Sequence, residues 1–76
     1  MKTEYTAEDL RDIYGEYCAD NRITEAPEAD DLTAEDLAEM VEEFEFRTER
    51  ADRLLYSVAV EVVGDWLEDW LIAHGF

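Results

Sequence analysis

Nine carboxylates fall between Glu28 and Glu45 with no basic residue among them: Glu28, Asp30, Asp31, Glu35, Asp36, Glu39, Glu42, Glu43 and Glu45. Carboxylates in such a run can hold a metal ion, share a proton in acid–base catalysis, or present a row of negative charge to a basic partner. The metal chemistry finds little support. Glu39 with Glu42 or Glu43, and Asp65 with Asp69, put carboxylate pairs on one helix face. Yet the Asp-rich calcium loop with its central glycine is missing, and there is no Glu-x-x-His pair. The single histidine, His74, falls at an expected helix end, where a cation is favoured. No metal and no cofactor is expected. Catalysis fares no better. Cys18 has no histidine near it in sequence, and there is neither a glycine-rich phosphate loop nor a nucleophile elbow. Paired carboxylates that hydrolyse sugars need a cleft, and 76 residues offer little room for one. Cys18 reads as a structural thiol and the chain as non-enzymatic.

The third chemistry fits the density of charge. As a helix, Glu35 to Glu45 spans about 16 Å, so its six acids give one carboxylate per roughly 2.7 Å. One DNA strand carries a charge about every 3.4 Å of axis. A surface built to hold phosphates can therefore accept this helix instead. Asp65, Glu68 and Asp69 extend the negative face further along the chain. The plainer reading is a solvated helix face whose charge keeps the protein soluble.

The whole chain shares this character. It carries 22 acids against 6 Lys plus Arg, a net charge of -16. Such a charge repels nucleic acid and anionic membranes, so direct binding to either is not expected. It favours a basic partner, a bound cation, or a very salty cytosol. Hydrophobic residues make up 47% and aromatics 12%, enough for a folded core rather than a disordered acidic tail. The length suits a single domain, which buries only about 60% of its unfolded surface. Cys18 is alone, so no internal disulfide forms, in keeping with a reducing compartment. Met1 to Leu10 lacks the apolar segment of a signal peptide, and no apolar run approaches the roughly 18 residues of a membrane span. A complete, cytoplasmic protein is expected.

Three helices must position these acids, near 7–19, 34–46 and 49–73, in an all-α domain with no strand pattern. Thr6-Ala7-Glu8-Asp9-Leu10 is a helix start, with a capping threonine and acids in the first turn. Leu10, Ile13, Tyr14 and Tyr17 then give the spacing of an amphipathic helix. Gly15 weakens it by up to about 1 kcal/mol relative to Ala, or marks a close helix crossing. Asn21 to Leu32 reads as a loop around Pro27, pinned by Ile23 and Leu32. Thr33-Ala34-Glu35-Asp36-Leu37 then repeats the first start signal, and Leu37, Met40, Val41 and Phe44 repeat its apolar stripe. We read the repeat as convergence on good caps.

The last helix, Leu54 to Ala73, is apolar over most of its circumference. Its polar residues Ser57, Glu61, Gly64, Asp65, Glu68 and Asp69 form one narrow stripe. It is expected to be central, with Trp66 and Trp70 as anchors and with apolar girth to spare for a homodimer. Between Phe44 and Leu54 two courses compete. A helix running straight through would span about 57 Å and demand a partner chain. We expect instead a bend at Phe46 to Thr48, with Thr48 capping the third helix. Arg47, Arg50 and Arg53 lie along one helix edge, where salt bridges to Glu43, Glu49 or Asp52 are expected. Tyr5, Tyr14, Tyr17 and Tyr56 fall in the core or at the rim of a binding face. Gly75 reads as a C-terminal stop.

Two resemblances follow. Asp30-Asp31-Leu32, Glu35-Asp36-Leu37 and Val41-Glu42-Glu43-Phe44 resemble the start of the second helix of acyl carrier proteins. That family carries a serine for its phosphopantetheine arm where Asp31 stands here, so the resemblance implies no cofactor. In length, acidity and want of catalytic motifs the whole chain resembles the small acidic proteins with which phages and mobile elements disarm host defence. Anti-CRISPR proteins and anti-restriction DNA mimics are the groups in question. This resemblance implies an acidic face, here Asp30, Asp31, Glu35, Asp36, Glu39, Glu42, Glu43, Glu45, Asp65, Glu68 and Asp69, seated in a Lys/Arg-lined channel of a nuclease or CRISPR effector subunit. An antitoxin or adaptor covering a basic protein needs the same face. A halophilic protein needs only its acidity.

Overall fold

The computed structural model describes residues 5–49 and 55–75. These form three α-helices, α1 (Ala7–Asp20), α2 (Ala34–Thr48) and α3 (Leu55–Ala73), with a short 3-10 turn at Ala29–Asp31 and no strand among the described residues. The expected all-α architecture is therefore the observed one. The segment read as a plain loop, Asn21 to Leu32, contains the 3-10 turn, which packs on α1.

Both expected start signals form capping boxes. Thr6 N–H donates to Asp9 Oδ2 at 2.8 Å and Thr33 N–H to Asp36 Oδ2 at 3.1 Å, while each threonine Oγ1 accepts from the same aspartate's N–H. Each box satisfies donors that a helix N-terminus leaves open. α1 ends as the chain turns left-handed at Arg22 (φ 53°), which lets Ile23 N–H reach back to Cys18 O at 2.9 Å. Gly75 (φ 83°) follows the end of α3.

The three helices pack mutually. Leu10, Ile13 and Tyr14 from α1, Leu37, Met40 and Phe44 from α2, and Val58, Ala59, Val62, Val63 and Leu67 from α3 form one buried core closed by Leu32. α3 contributes the most buried residues, as its apolar girth requires. Its exposed large apolar side chains are Tyr56 and Ile72. Its polar stripe faces solvent except at Gly64. A Cβ there would lie 3.1 Å from the Tyr17 hydroxyl, so Gly64 is where α1 and α3 approach closely. The expected crossing at Gly15 is corrected accordingly: a Cβ on Gly15 meets the Ala29 methyl of the 3-10 turn at 3.4 Å, not another helix.

The bend expected at Phe46 to Thr48 is also corrected, since these residues are helical. α2 runs on through Thr48, and Glu49 N–H still donates to Glu45 O at 3.2 Å. Thr48 does not cap α3; its hydroxyl donates back to Glu45 O at 3.1 Å. The expected start of the third helix, from Glu49 on, falls partly outside the described residues. A straight helix is excluded all the same. Glu39 and Trp66 would stand about 40 Å apart in one, yet they share a hydrogen bond of 3.2 Å. Among the described residues no helix is long and apolar enough to cross a membrane.

Candidate functional site

α2 and α3 meet along a groove of about 270 Å³ that collects much of the expected acidic face. Glu39 and Glu43 stand on one wall, Asp65 and Asp69 on the other, with Met40, Val62 and Trp66 between them and Arg47 at one end. The helical period explains the gathering. Glu39 and Glu43 are four apart on α2, Asp65 and Asp69 four apart on α3, so each pair lines one face of its helix. The groove is smaller than the roughly 300–1,000 Å³ of small-molecule sites.

Arg47 organises this surface. Its Nε donates to Glu43 at 2.8 Å, Nη1 to Glu61 at 3.0 Å and Nη2 to Asp65 at 2.8 Å. The pairing with Glu43 is the one expected within the helix; the other two bind α2 to α3. The hydrogen bond to Glu43 is the chief reason that the guanidinium holds its proton even more firmly than usual. Arg50, Arg53 and the expected partner Asp52 lie outside the described residues. Trp66 is half-buried, packs edge-on against Tyr14 with ring centroids 5.8 Å apart, and donates from Nε1 to Glu39. A tryptophan read as a core anchor thus also fixes one of the acids.

The eleven expected site residues fall into four sets. Glu39, Glu43, Asp65 and Asp69 line the groove. Glu35, Glu42 and Glu45 on α2, and Glu68 on α3, are exposed, and their carboxylates form no hydrogen bond or ion pair among the described residues. Asp36 is spent on the capping box. Asp30 and Asp31 sit in the 3-10 turn against α1 and do not line the groove. One residue of the site was missed, Glu61. Its place in the polar stripe of α3 was visible in the sequence, but not the arginine it meets.

Cys18 and His74 lie away from the groove. Cys18 is half-buried beside the loop, and burial pushes its thiol up, against a neighbouring Tyr14 hydroxyl that lowers it. His74 lies at the end of α3, stacked on Trp70 at 3.9 Å. Its Nδ1 is 2.9 Å from the Trp70 carbonyl and must carry a proton to bond there. Tyr14, expected in the core or at a rim, is fully buried, and its hydroxyl donates to Pro27 O at 2.6 Å. Burial, then Cys18 and the Asp36 carboxylate, hold that phenol well above its ordinary range. Among the described residues no three His, Cys, Asp or Glu side chains are placed to hold a metal ion. No family model, curated protein or solved structure matches the chain.

Proposed function

We propose that this chain acts by binding rather than catalysis, as an acidic inhibitor that occupies the nucleic-acid-binding surface of a basic protein. The observation that supports the reading most is the joint placement of acids. α2 and α3 set four carboxylates around one groove and leave three more along the outer side of α2 with no basic partner among the described residues. Lysines and arginines that hold phosphates would meet an acid density like that of a nucleic-acid strand. A nuclease or CRISPR effector subunit in the cytoplasm of a host cell is the class of target. Association would be fast and salt-sensitive, since charge of one sign steers encounter. Trp66 and the apolar floor of Met40 and Val62 would supply contacts that salt does not screen.

The test is competition for DNA. The purified chain is titrated into a fluorescent-DNA complex of a candidate nuclease or CRISPR effector at several salt concentrations. The triple variant Glu35→Lys, Glu42→Lys and Glu45→Lys changes acids without partners among the described residues, so helicity is expected to stay the same. Displacement of DNA by the parent chain and its loss in the variant, by about 100-fold or more in concentration, is the expected result. A variant that displaces DNA as well as the parent would show that this face is not the binding surface. A chain that unfolds in low salt and displaces nothing would favour the halophilic reading.

A further inference from the structure

On the other flank of α3 lies a second trough that the proposed function does not use. Two hollows of about 250 and 230 Å³ share Ile13, Glu16 and Tyr56 and so form one continuous groove between α1 and α3. One rim is acidic. Asp9, Asp12, Glu16 and Asp20 recur three or four apart, which places them on a single face of α1 over about 16 Å. Asp9 is held in the capping box. The carboxylates of Asp12, Glu16 and Asp20 make no hydrogen bond or ion pair among the described residues. The floor is apolar and aromatic, built on buried Ile13 and half-buried Val60, with Tyr56 standing 53% exposed in the middle.

We propose that this trough is a second docking face and that its occupant is a basic amphipathic segment of a partner polypeptide. Lysine or arginine side chains would lie along the Asp12–Glu16–Asp20 rim, and one apolar side chain would pack between Tyr56 and Ile13. The chemistry of the trough selects this occupant. Among the described residues no basic one lines either hollow, in contrast to the α2/α3 groove with its Arg47, so this rim favours a partner that brings positive charge. A second copy of this chain would bring net charge of -16 against the rim, and nucleic acid or an anionic membrane is repelled likewise. An exposed tyrosine flanked by charge is the kind of residue that anchors protein interfaces. The length of the rim matches about three turns of a helix laid in the groove by one face.

The probe is a 14-residue peptide of lysine and leucine with leucines at three-four spacing, compared with a peptide of equal charge carrying serine for each leucine. Binding is read by fluorescence anisotropy and mapped by amide chemical shifts. The lysine–leucine peptide is expected to bind about tenfold more tightly than its serine counterpart, with shifts centred on Ile13, Glu16 and Tyr56. Tyr56→Ser, and separately the triple variant Asp12→Asn, Glu16→Gln and Asp20→Asn, should each weaken it by about tenfold while circular dichroism stays the same. Glu35→Gln with Glu42→Gln and Glu45→Gln should leave peptide affinity within about threefold. Equal affinity for both peptides, undiminished binding by Tyr56→Ser, or shifts confined to the α2/α3 groove would overturn the proposal. So would a Tyr56-dependent dimer in light scattering without peptide, because the occupant would then be a second copy. The Asp12, Glu16 and Asp20 variant should still displace DNA in the competition assay, so failure of either face is told apart from failure of the other.

Discussion

α1 and α2 begin as the same helix and end as different ones. From Thr6 and Thr33 onward the two match residue for residue through the first leucine, and the apolar positions continue in step. The acids toward α3 match as well: Asp9, Asp12 and Glu16 stand where Asp36, Glu39 and Glu43 do. The helices then diverge in two places. At the last turn α1 has Asp20 where α2 has Arg47. On the flank away from α3, α1 has Gly15 and Cys18 where α2 has Glu42 and Glu45. Both differences follow from what lies alongside. The 3-10 turn and Pro27 lie against α1 on that flank, so its residues are small and uncharged. The same flank of α2 meets water and carries acids. The comparison shows that shared periodicity makes two helices alike, and neighbours in space make them distinct.

The largest way to break the comparison is at Tyr14, whose counterpart is Val41. Tyr14 is fully buried and its hydroxyl ties α1 to Pro27, whereas Val41 is half-buried. Tyr14→Ala should cost about 3–5 kcal/mol and Val41→Ala about 1–2 kcal/mol in urea unfolding. Tyr14→Phe isolates the hydroxyl and should cost about 1–3 kcal/mol, since the Pro27 carbonyl loses its donor. Alkali should attack the same place. The folded-state values of Tyr14 and Cys18 are both raised, chiefly by burial. Groups raised in this way contribute stability that is fully present below their unfolded values and is lost as pH rises toward the folded ones. Stability should therefore fall from about pH 8.5 upward, where an unfolded thiol and then an unfolded phenol release their protons. Tyr14→Phe with Cys18→Ser should flatten that decline, measured as urea midpoint against pH. An unchanged slope would mean that neither group governs it.

The next effect separates Arg47 from Asp20. Arg47→Met removes three ion pairs and leaves Glu43, Glu61 and Asp65 facing one another. All three partners are substantially exposed, so the loss should be modest, about 1–2 kcal/mol at low salt and less at 1 M salt. Asp20→Asn, at the matching position of α1, should change stability by no more than about 0.5 kcal/mol. If both variants behave alike, Arg47 is not the tie between α2 and α3 that its geometry implies.

What the sequence made legible was local. Threonine caps, first-turn acids and the Leu10–Ile13–Tyr14 and Leu37–Met40–Phe44 stripes are all decided within a few residues, and α1 and α2 could be read from such signals, α3 from its apolar girth. The Arg47–Glu43 pair was legible for the same reason, being one turn long. The links that build the candidate site join distant elements: Arg47 to Glu61 and Asp65, Trp66 to Glu39, Tyr14 to Pro27. No spacing rule contains them, because they depend on which helix faces meet after the chain turns back. Thr48 shows the same limit in reverse. It has the residue type of an N-cap, but it closes α2, its hydroxyl donating back to Glu45 O. The acid rim on α1 had a usable signal, since the repeat carries its acids as well as its leucines.

The smallest effect sharpens the comparison at Gly15, which stands where α2 has Glu42. Gly15 lies inside α1 with ordinary helical φ, so glycine is not needed there for its backbone freedom. A Cβ added to it would reach the Ala29 methyl at 3.4 Å, an ordinary van der Waals contact. Gly15→Ala should therefore stabilise the chain by about 0.5–1 kcal/mol, through helix propensity and a less flexible unfolded state. Gly15→Glu, which copies α2, should instead lose stability, because the longer side chain must displace the 3-10 turn to reach water. The two variants can be compared by thermal unfolding. Alanine above the parent and glutamate below it would show that the turn, rather than the helix itself, sets the residue at this position. Glutamate matching alanine would show that the turn yields freely and that the flank of α1 is no more constrained than that of α2.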